Sequence, residues 1–266
     1  MSLAFCPLYS GSSGNATYIA SARTRLLVDA GLPGRTLEQA LSAIHAQPGE
    51  LSGILVTHEH SDHIKGIGVM SRKYDLPVYA NEATWLAMAP LIGPVSAHNQ
   101  RLFTTGQDFY IGEIGVEPFA IPHDAAEPVG YRFSQGGCSV AMATDIGHLS
   151  DSWLHRIEGV QLLLLESNHD TAMLQQNTRY PARLKARILG KRGHLSNPDC
   201  AKALLRLYAH GTRRVVLGHM SAENNLPELA HSTSHRFLSE NGVQPGKDIH
   251  IDVALRDRVG KVYLMR

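Results

Sequence analysis

An α/β protein is what the sequence predicts: two strand-and-helix halves, meeting near residue 115, whose sheets pack face to face with helices outside. Three observations lead there. Strand-like and helix-like segments alternate over the whole length, several strand-like runs are apolar at every position, and no Pro/Gly/Ser-rich linker divides the 266 residues. Residues 1–266 therefore read as a single domain, long enough to bury a sizeable core unaided.

In the first half, 25–28 is a short apolar strand running into the turn Asp29-Ala30-Gly31. Residues 36–46 place Leu37, Ala40, Leu41 and Ile44 three and four apart, the spacing of an amphipathic helix. Residues 53–57 form a buried strand, and helices follow near 64–74 and 81–89. The second half repeats the rhythm with strands at 115–122, 129–134 and 139–143 and a helix at 149–157. Four consecutive leucines from Leu162 to Leu165 make 161–166 a strand covered on both faces. Asn197 reads as the cap of a helix with Pro198 in its first turn and Gly211 at its close. A further strand at 213–217 and a helix at 226–240 complete the pattern.

Apolar residues make up 43% of the chain and charged residues 18%, and the net charge is +1, so no global field draws it to nucleic acid or membrane. Any basic site must be local. Histidine is over-used, with 15 copies against 6 Phe and 2 Trp, which points to metal or proton chemistry. The three cysteines lie far apart with no finger or CxxC spacing, so they read as buried thiols rather than a disulfide framework. The opening residues lack the features of a signal peptide, and no apolar run approaches the ~18 residues of a membrane span. A cytoplasmic protein without a membrane partner is expected.

The chemistry is concentrated in the run His58-Glu59-His60-Ser61-Asp62-His63, placed at the end of the strand 53–57. Alternate residues of an extended segment face the same way, so His58 and His60 can share one metal ion. Asp62 and His63 fall on the next bend and can address a second ion. Imidazole with carboxylate suits zinc, manganese or iron, and no thiolate is implied. His123, Asp145 and His219 each follow a buried strand, where α/β folds place their sites, and complete the ligand set.

With Asp29 ahead of them, these motifs resemble those of the metallo-β-lactamase superfamily, in the same order and across the full length. The resemblance implies the metallo-β-lactamase fold, an αββα four-layer sandwich, with two divalent ions, zinc or manganese. It puts His58, His60 and His123 on one ion and Asp62, His63 and His219 on the other, with Asp145 bridging and Asp29 orienting a ligand. Ser10-Gly11-Ser12-Ser13-Gly14-Asn15, the histidine run and Gly193-His194-Leu195-Ser196-Asn197 together resemble the YycJ/WalJ-like exonuclease group, and more distantly ribonuclease Z. Only 73 residues separate Asp145 from His219, too few for the helical insert of the β-CASP enzymes.

Charge supports a nucleic-acid substrate independently. Between Asn168 and Ser196 stand Arg179, Arg183, Lys185, Arg187, Lys191 and Arg192 against the single acid Asp170. Such a stripe can follow phosphates, or it can be a solvated helix face. The loop 10–15 can offer backbone N–H groups to a phosphate or can be a plain turn beneath the site.

The function expected from the resemblance is hydrolysis of nucleic-acid phosphodiesters, DNA before RNA, from a 5′ end. Asp62, His194 and Glu166 are the candidate catalytic residues; His194, Ser196, Arg183, Lys185 and Arg187 are the candidate substrate contacts. The alternative is a thioester or lactone hydrolase of the glyoxalase II type, which shares the metal motif and needs neither His194 nor the basic stripe. A third is a metal-containing nucleic-acid binder without turnover.

Overall fold

The computed structural model describes residues 2–266. Its first half contains β1 (Leu3–Tyr9), β2 (Ala16–Ala20), β3 (Arg25–Val28), α1 (Gly34–Ala43), β4 (Gly53–Leu55), α2 (Ser61–Ile64), α3 (Ile67–Tyr74), β5 (Val78–Ala80), α4 (Glu82–Ile92) and β6 (Gln100–Leu102). The second contains β7 (Phe109–Ile111), β8 (Ile114–Ala120), β9 (Val129–Gln135), β10 (Cys138–Ala143), α5 (Asp151–Ile157), β11 (Leu162–Glu166), α6 (Thr171–Gln176), α7 (Ala182–Ile188), α8 (Asn197–Ala209), β12 (Arg214–Gly218), α9 (Pro227–Glu240) and β13 (His250–Val253). A last strand, β14 (Tyr263–Met265), returns to pair with β1, so the first sheet runs β14-β1-β2-β3-β4-β5-β6. The second runs β13-β12-β11-β10-β9-β8-β7. The chain changes sheets between β6 and β7, a few residues before the expected boundary near 115.

Period two explains the layers. Along β3, Leu26 and Val28 face the space between the sheets, while Leu27 faces the outer helices with Leu37, Leu41 and Met70. Along β11, Leu162 and Leu164 join Phe5, Leu26 and Tyr131 between the sheets, while Leu163 and Leu165 pack on Trp153, Leu204 and Leu207. The leucine run is therefore apolar throughout because both of its faces are covered. Truncating such a fully buried leucine to alanine costs about 2–5 kcal/mol.

Direction matters most for function. β3, β4, β5 and β6 are mutually parallel, as are β10, β11, β12 and β13. β8 pairs antiparallel with β9, and β9 antiparallel with β10, so β8 also runs with β10. Every strand that precedes a sequence-predicted ligand thus ends at one edge of its sheet.

The structure departs from the sequence expectation at two places. The helix expected at 64–74 is broken, since α2 ends at Ile64 and Gly66 begins the turn into α3. A Cβ on Gly66 would come within 2.4 Å of the Leu32 carbonyl, so the chain passes too close there for a side chain. The cap of α8 is Ser196 rather than Asn197: its hydroxyl accepts from the Asp199 amide at 3.2 Å. All three cysteines are buried, and burial is the sole cause that pushes the Cys6 thiol up to about 12 and the main cause that does so for Cys200. Among the described residues, no helix is long and apolar enough to cross a membrane.

Candidate metal centre

Asp29 and His219 immediately follow β3 and β12, Asp145 follows β10 by two residues, and His58 and His123 stand three past β4 and β8. Asp29, Asp145 and His219 have left-handed backbones, with φ of 59°, 60° and 52°. Non-glycine residues held there cost on the order of 1–3 kcal/mol each, which surrounding contacts must offset. The loop after Asp29 lies flat against the histidine run. Ala30 donates to the His63 carbonyl at 2.8 Å, and a Cβ on Gly31 would stand 1.6 Å from the Asp62 carbonyl oxygen. Only glycine permits that approach.

Three imidazole nitrogens converge first. Nδ1 of His60 lies 3.1 Å from Nε2 of His58 and 3.3 Å from Nε2 of His123. Donors at about 2.05 Å from a tetrahedral ion stand roughly 3.4 Å apart, so the three are spaced as co-ligands. Asp62 Oδ2 lies 3.6 Å from Nε2 of both His63 and His219. Asp145 stands between the two groups. Its Oδ2 is 3.3 Å from His63 Nε2, and its Oδ1 is 3.4 Å from His219 Nε2 and 3.6 Å from His123 Nε2.

The far nitrogens of His63, His219, His123 and His58 are engaged, while Nε2 of His60 stands 4.0 Å from Asp124. His63 Nδ1 meets Asp29 at 2.8 Å, His219 Nδ1 meets Glu166 at 2.9 Å, and His123 Nδ1 meets the Gly193 carbonyl at 3.1 Å. Thr57 donates its one hydroxyl proton to Asp29 at 2.9 Å, so the 3.0 Å contact with His58 Nδ1 requires that nitrogen to donate. Each of these four imidazoles thereby holds its proton outward and turns a lone pair inward, the arrangement that orients metal-binding histidines.

The residues present fit divalent ions. Asp145 Oδ2 and His219 Nε2 are buried without a hydrogen-bond partner, and such orphans are costly unless something else satisfies them. Around Asp62 the pocket also stabilises positive charge, whereas burial lowers the pKa of His58 and His123. Burial disfavours protonation of His63, yet Asp29, Asp145 and Asp62 outweigh it and raise its pKa well above the ordinary value. His219 is likewise pushed up to about 10, against its burial, by Asp145 first.

Glu166, the last residue of β11, is fully buried and saturated. Oε1 accepts from Nδ1 of His194 at 2.8 Å and of His219 at 2.9 Å; Oε2 accepts from the amides of Ile146 at 2.6 Å and Leu195 at 3.1 Å. Burial favours its neutral form, but His194 and His219 more than reverse that and hold its pKa at about 2. His194 differs from its neighbours in being reachable, with 20% of its side chain exposed against 1% for His219.

The basic segment is not one stripe. Arg183 and Arg187 lie a helical turn apart on α7, whereas Lys185 points to the opposite side and donates to the Gln175 carbonyl at 2.7 Å. Arg187 grips Asp124 with two prongs, the longer 3.1 Å; Arg179 pairs with Glu223; Arg192 donates to the His123 carbonyl at 2.8 Å. Pro181, Arg183, Leu184 and Arg187 line a groove of about 440 Å³. The Ser196 hydroxyl is bonded to Asp199 at 2.8 Å, so it serves its helix rather than facing outward.

Sequence reasoning overlooked Asn15, Thr57 and Asp124. The Asn15 amide lies 3.1 Å from His63 Nε2 and 3.4 Å from Asp62 Oδ2, and Ser10 Oγ accepts from the His219 amide at 2.9 Å. The loop 10–15 thus buttresses the cluster. Asp124 Oδ1 reaches to 3.4 Å from His123 Nε2. Its position beside His123 was the one available signal.

Comparison with known proteins agrees with this geometry. Residues 24–220 match the family model described as beta-lactamase superfamily domain. The chain is 44% identical over 251 residues to the protein named exodeoxyribonuclease YycJ of Bacillus anthracis, covering 94% of this chain and 95% of that one. It is 42% identical over 246 residues to exodeoxyribonuclease WalJ of Streptococcus pneumoniae, covering 92% and 91%. The crystal structure of the metallo-β-lactamase fold protein YhfI from Bacillus subtilis superposes with a TM-score of 0.75 at 16% identity, over the whole of both chains. The chain therefore belongs to the β-lactamase superfamily, as one of its metal-dependent hydrolases of the metallo-β-lactamase fold.

Proposed function

We propose that this chain hydrolyses phosphodiester bonds of nucleic acid with two divalent ions, zinc or manganese, and that DNA taken from a 5′ end is its principal substrate. The observation that carries the reading is the shared carboxylate of Glu166, which fixes one imidazole of the ligand set, His219, and one outside it, His194. His58, His60 and His123 would hold one ion, Asp62, His63 and His219 the other, and Asp145 both. Bound there, the ions would activate water and neutralise charge developing on the phosphate.

The chain's own residues supply the rest. With Nδ1 committed to Glu166, His194 has Nε2 left to contact the phosphate and give a proton to the leaving oxygen. Glu166 sets the tautomer and the tilt of that ring. Ser196, by capping α8, holds the segment that carries His194. Arg183 and Arg187 flank a groove suited to backbone phosphates, next to Asp124 at the mouth of the cluster. The relatives named exodeoxyribonuclease support DNA as substrate. The 5′ polarity rests on the family resemblance.

The test is digestion of 5′- and 3′-end-labelled single- and double-stranded DNA and RNA with Mn²⁺ or Zn²⁺, beside a glutathione thioester. The expected result is nucleotide release from the 5′ end of DNA with little thioester turnover. Thioester hydrolysis without any nucleic-acid cleavage would overturn the proposal in favour of the glyoxalase II type.

A further inference from the structure

We propose a second, peripheral site for one divalent transition-metal ion, built by His231, His235 and His250. His231 and His235 stand four residues apart on α9, which places both rings on one face, the spacing by which a helix offers two imidazoles to one ion. Their ring centroids are 6.0 Å apart and their planes 37° apart. The catalytic cluster supplies a yardstick: His63 and His219 stand at 5.7 Å and 46°, and His58 and His60 at 4.6 Å. The α9 pair is therefore within a small side-chain adjustment of sharing an ion.

His250 opens β13 and lines the same cleft, about 500 Å³ in volume, together with Asp252. None of the three side chains has a hydrogen-bond or ion-pair partner among the described residues. Other surface histidines do: His98 meets Asp75 at 2.8 Å, and His155 meets Glu158 at 3.1 Å. Among the described residues, the donors that already converge within 4.8 Å all belong to the catalytic cluster, so completing this set requires side chains such as those of His235 and His250 to rotate. Both are exposed, which makes that rotation cheap.

Charge decides which ions fit. Lys261 and Arg214 share the cleft, and Lys261 already pairs with Asp252 at 3.8 Å. Hard cations that depend on carboxylate charge find little here, whereas neutral imidazoles suit Cu²⁺, Ni²⁺ and Zn²⁺, with copper held tightest. The site lies at the amino ends of β12 and β13, roughly 15 Å along the strand from His219, so its ion cannot reach the catalytic pair. An ion there would clamp α9 to β13, whose outer edge has no strand partner among the described residues.

Wild type, H231A/H235A and H250A would each be loaded with Cu²⁺ or Zn²⁺ and freed of excess. Elemental analysis would count ions per chain, and Cu²⁺ samples would be read by electron paramagnetic resonance. Both variants are expected to hold one ion per chain fewer than wild type and to lose a nitrogen-coordinated copper signal. Their Mn²⁺-supported phosphodiester turnover should be unchanged. The difference of one ion holds whatever the catalytic cluster binds, so it stands or falls apart from the nuclease reading. Equal counts in wild type and H231A/H235A would overturn the proposal.

Discussion

At the carboxyl edge of the two sheets, imidazoles and carboxylates are packed against one another, and each is fixed by a neighbour; along 179–192, the basic side chains lie at or near the surface and, among the described residues, only Arg179 and Arg187 meet an acid. His63 leans on Asp29, and His219 on Glu166. Arg179 and Arg187 instead pair with Glu223 and Asp124 at the surface. Burial makes the difference. An unpaired buried charge costs far more than an exposed one, so the cluster is over-determined while the basic segment is free to rearrange. Density of charge in a sequence therefore says little until one knows which groups are forced inside.

The largest effects are expected at the buried cluster. Asp145 faces both ligand groups, so Asp145→Ala should abolish metal retention in at least one group and remove turnover altogether. Full activity with a full complement of ions would show that the cluster is not the catalytic centre. Glu166→Gln should be milder. It leaves a shape much the same but sets an amide where only acceptors fit, and outer partners of this kind typically cost about 10–100-fold in metal affinity or activity. Metal titration of the variant checks this.

The exposed end gives smaller effects. Arg183 borders the groove and Lys185 does not, so Arg183→Ala should lower the salt slope of single-strand binding by about 0.7 while Lys185→Ala leaves it unchanged. Equal effects of the two would mean that the segment acts only as diffuse charge.

The smallest effect belongs to neither region. Glu113, in the turn between β7 and β8, is held at about 2 by the Ser21 hydroxyl, then the Thr24 hydroxyl, against an ordinary 4.5. It ties the β2–β3 turn to the other sheet, accepting from Ser21 at 2.6 Å, Thr24 at 2.7 Å and the Arg23 amide at 2.9 Å. A carboxyl whose folded pKa is depressed contributes stability above its unfolded pKa and loses it as pH falls through the folded one. Wild type should therefore melt above Glu113→Gln at pH 7, with the gap narrowing toward pH 2. A gap independent of pH would remove Glu113 from the account.

The candidate ligand set was legible because its members stand just past apolar runs or on the bend that follows, and buried parallel strands carry such runs to one edge. Its supports were not. Thr57 and Asn15 act through hydrogen bonds to Asp29 and Asp62, which no spacing reveals, and Asp124 finds Arg187 only through the fold. Among the strands that escaped notice are short edges, beside the interior strands β2 and β5. β6 is exposed at every residue, and β13 has none fully buried, so neither bears the alternation that marks a strand. Likewise α7 buries no residue, so it lacks an apolar face to betray it.

On the proposed mechanism, His194 serves the reaction without holding metal, through the carboxylate it shares with His219. Replacing His194 by alanine, counting ions and measuring phosphodiester kinetics on the same sample tests it most directly. The account predicts a full metal complement with kcat lowered by about 10²–10⁴, and a smaller change in KM because the contact strengthens in the transition state. Loss of an ion would make His194 a ligand, and intact ions with unaltered turnover would leave it a structural residue; either result contradicts the account.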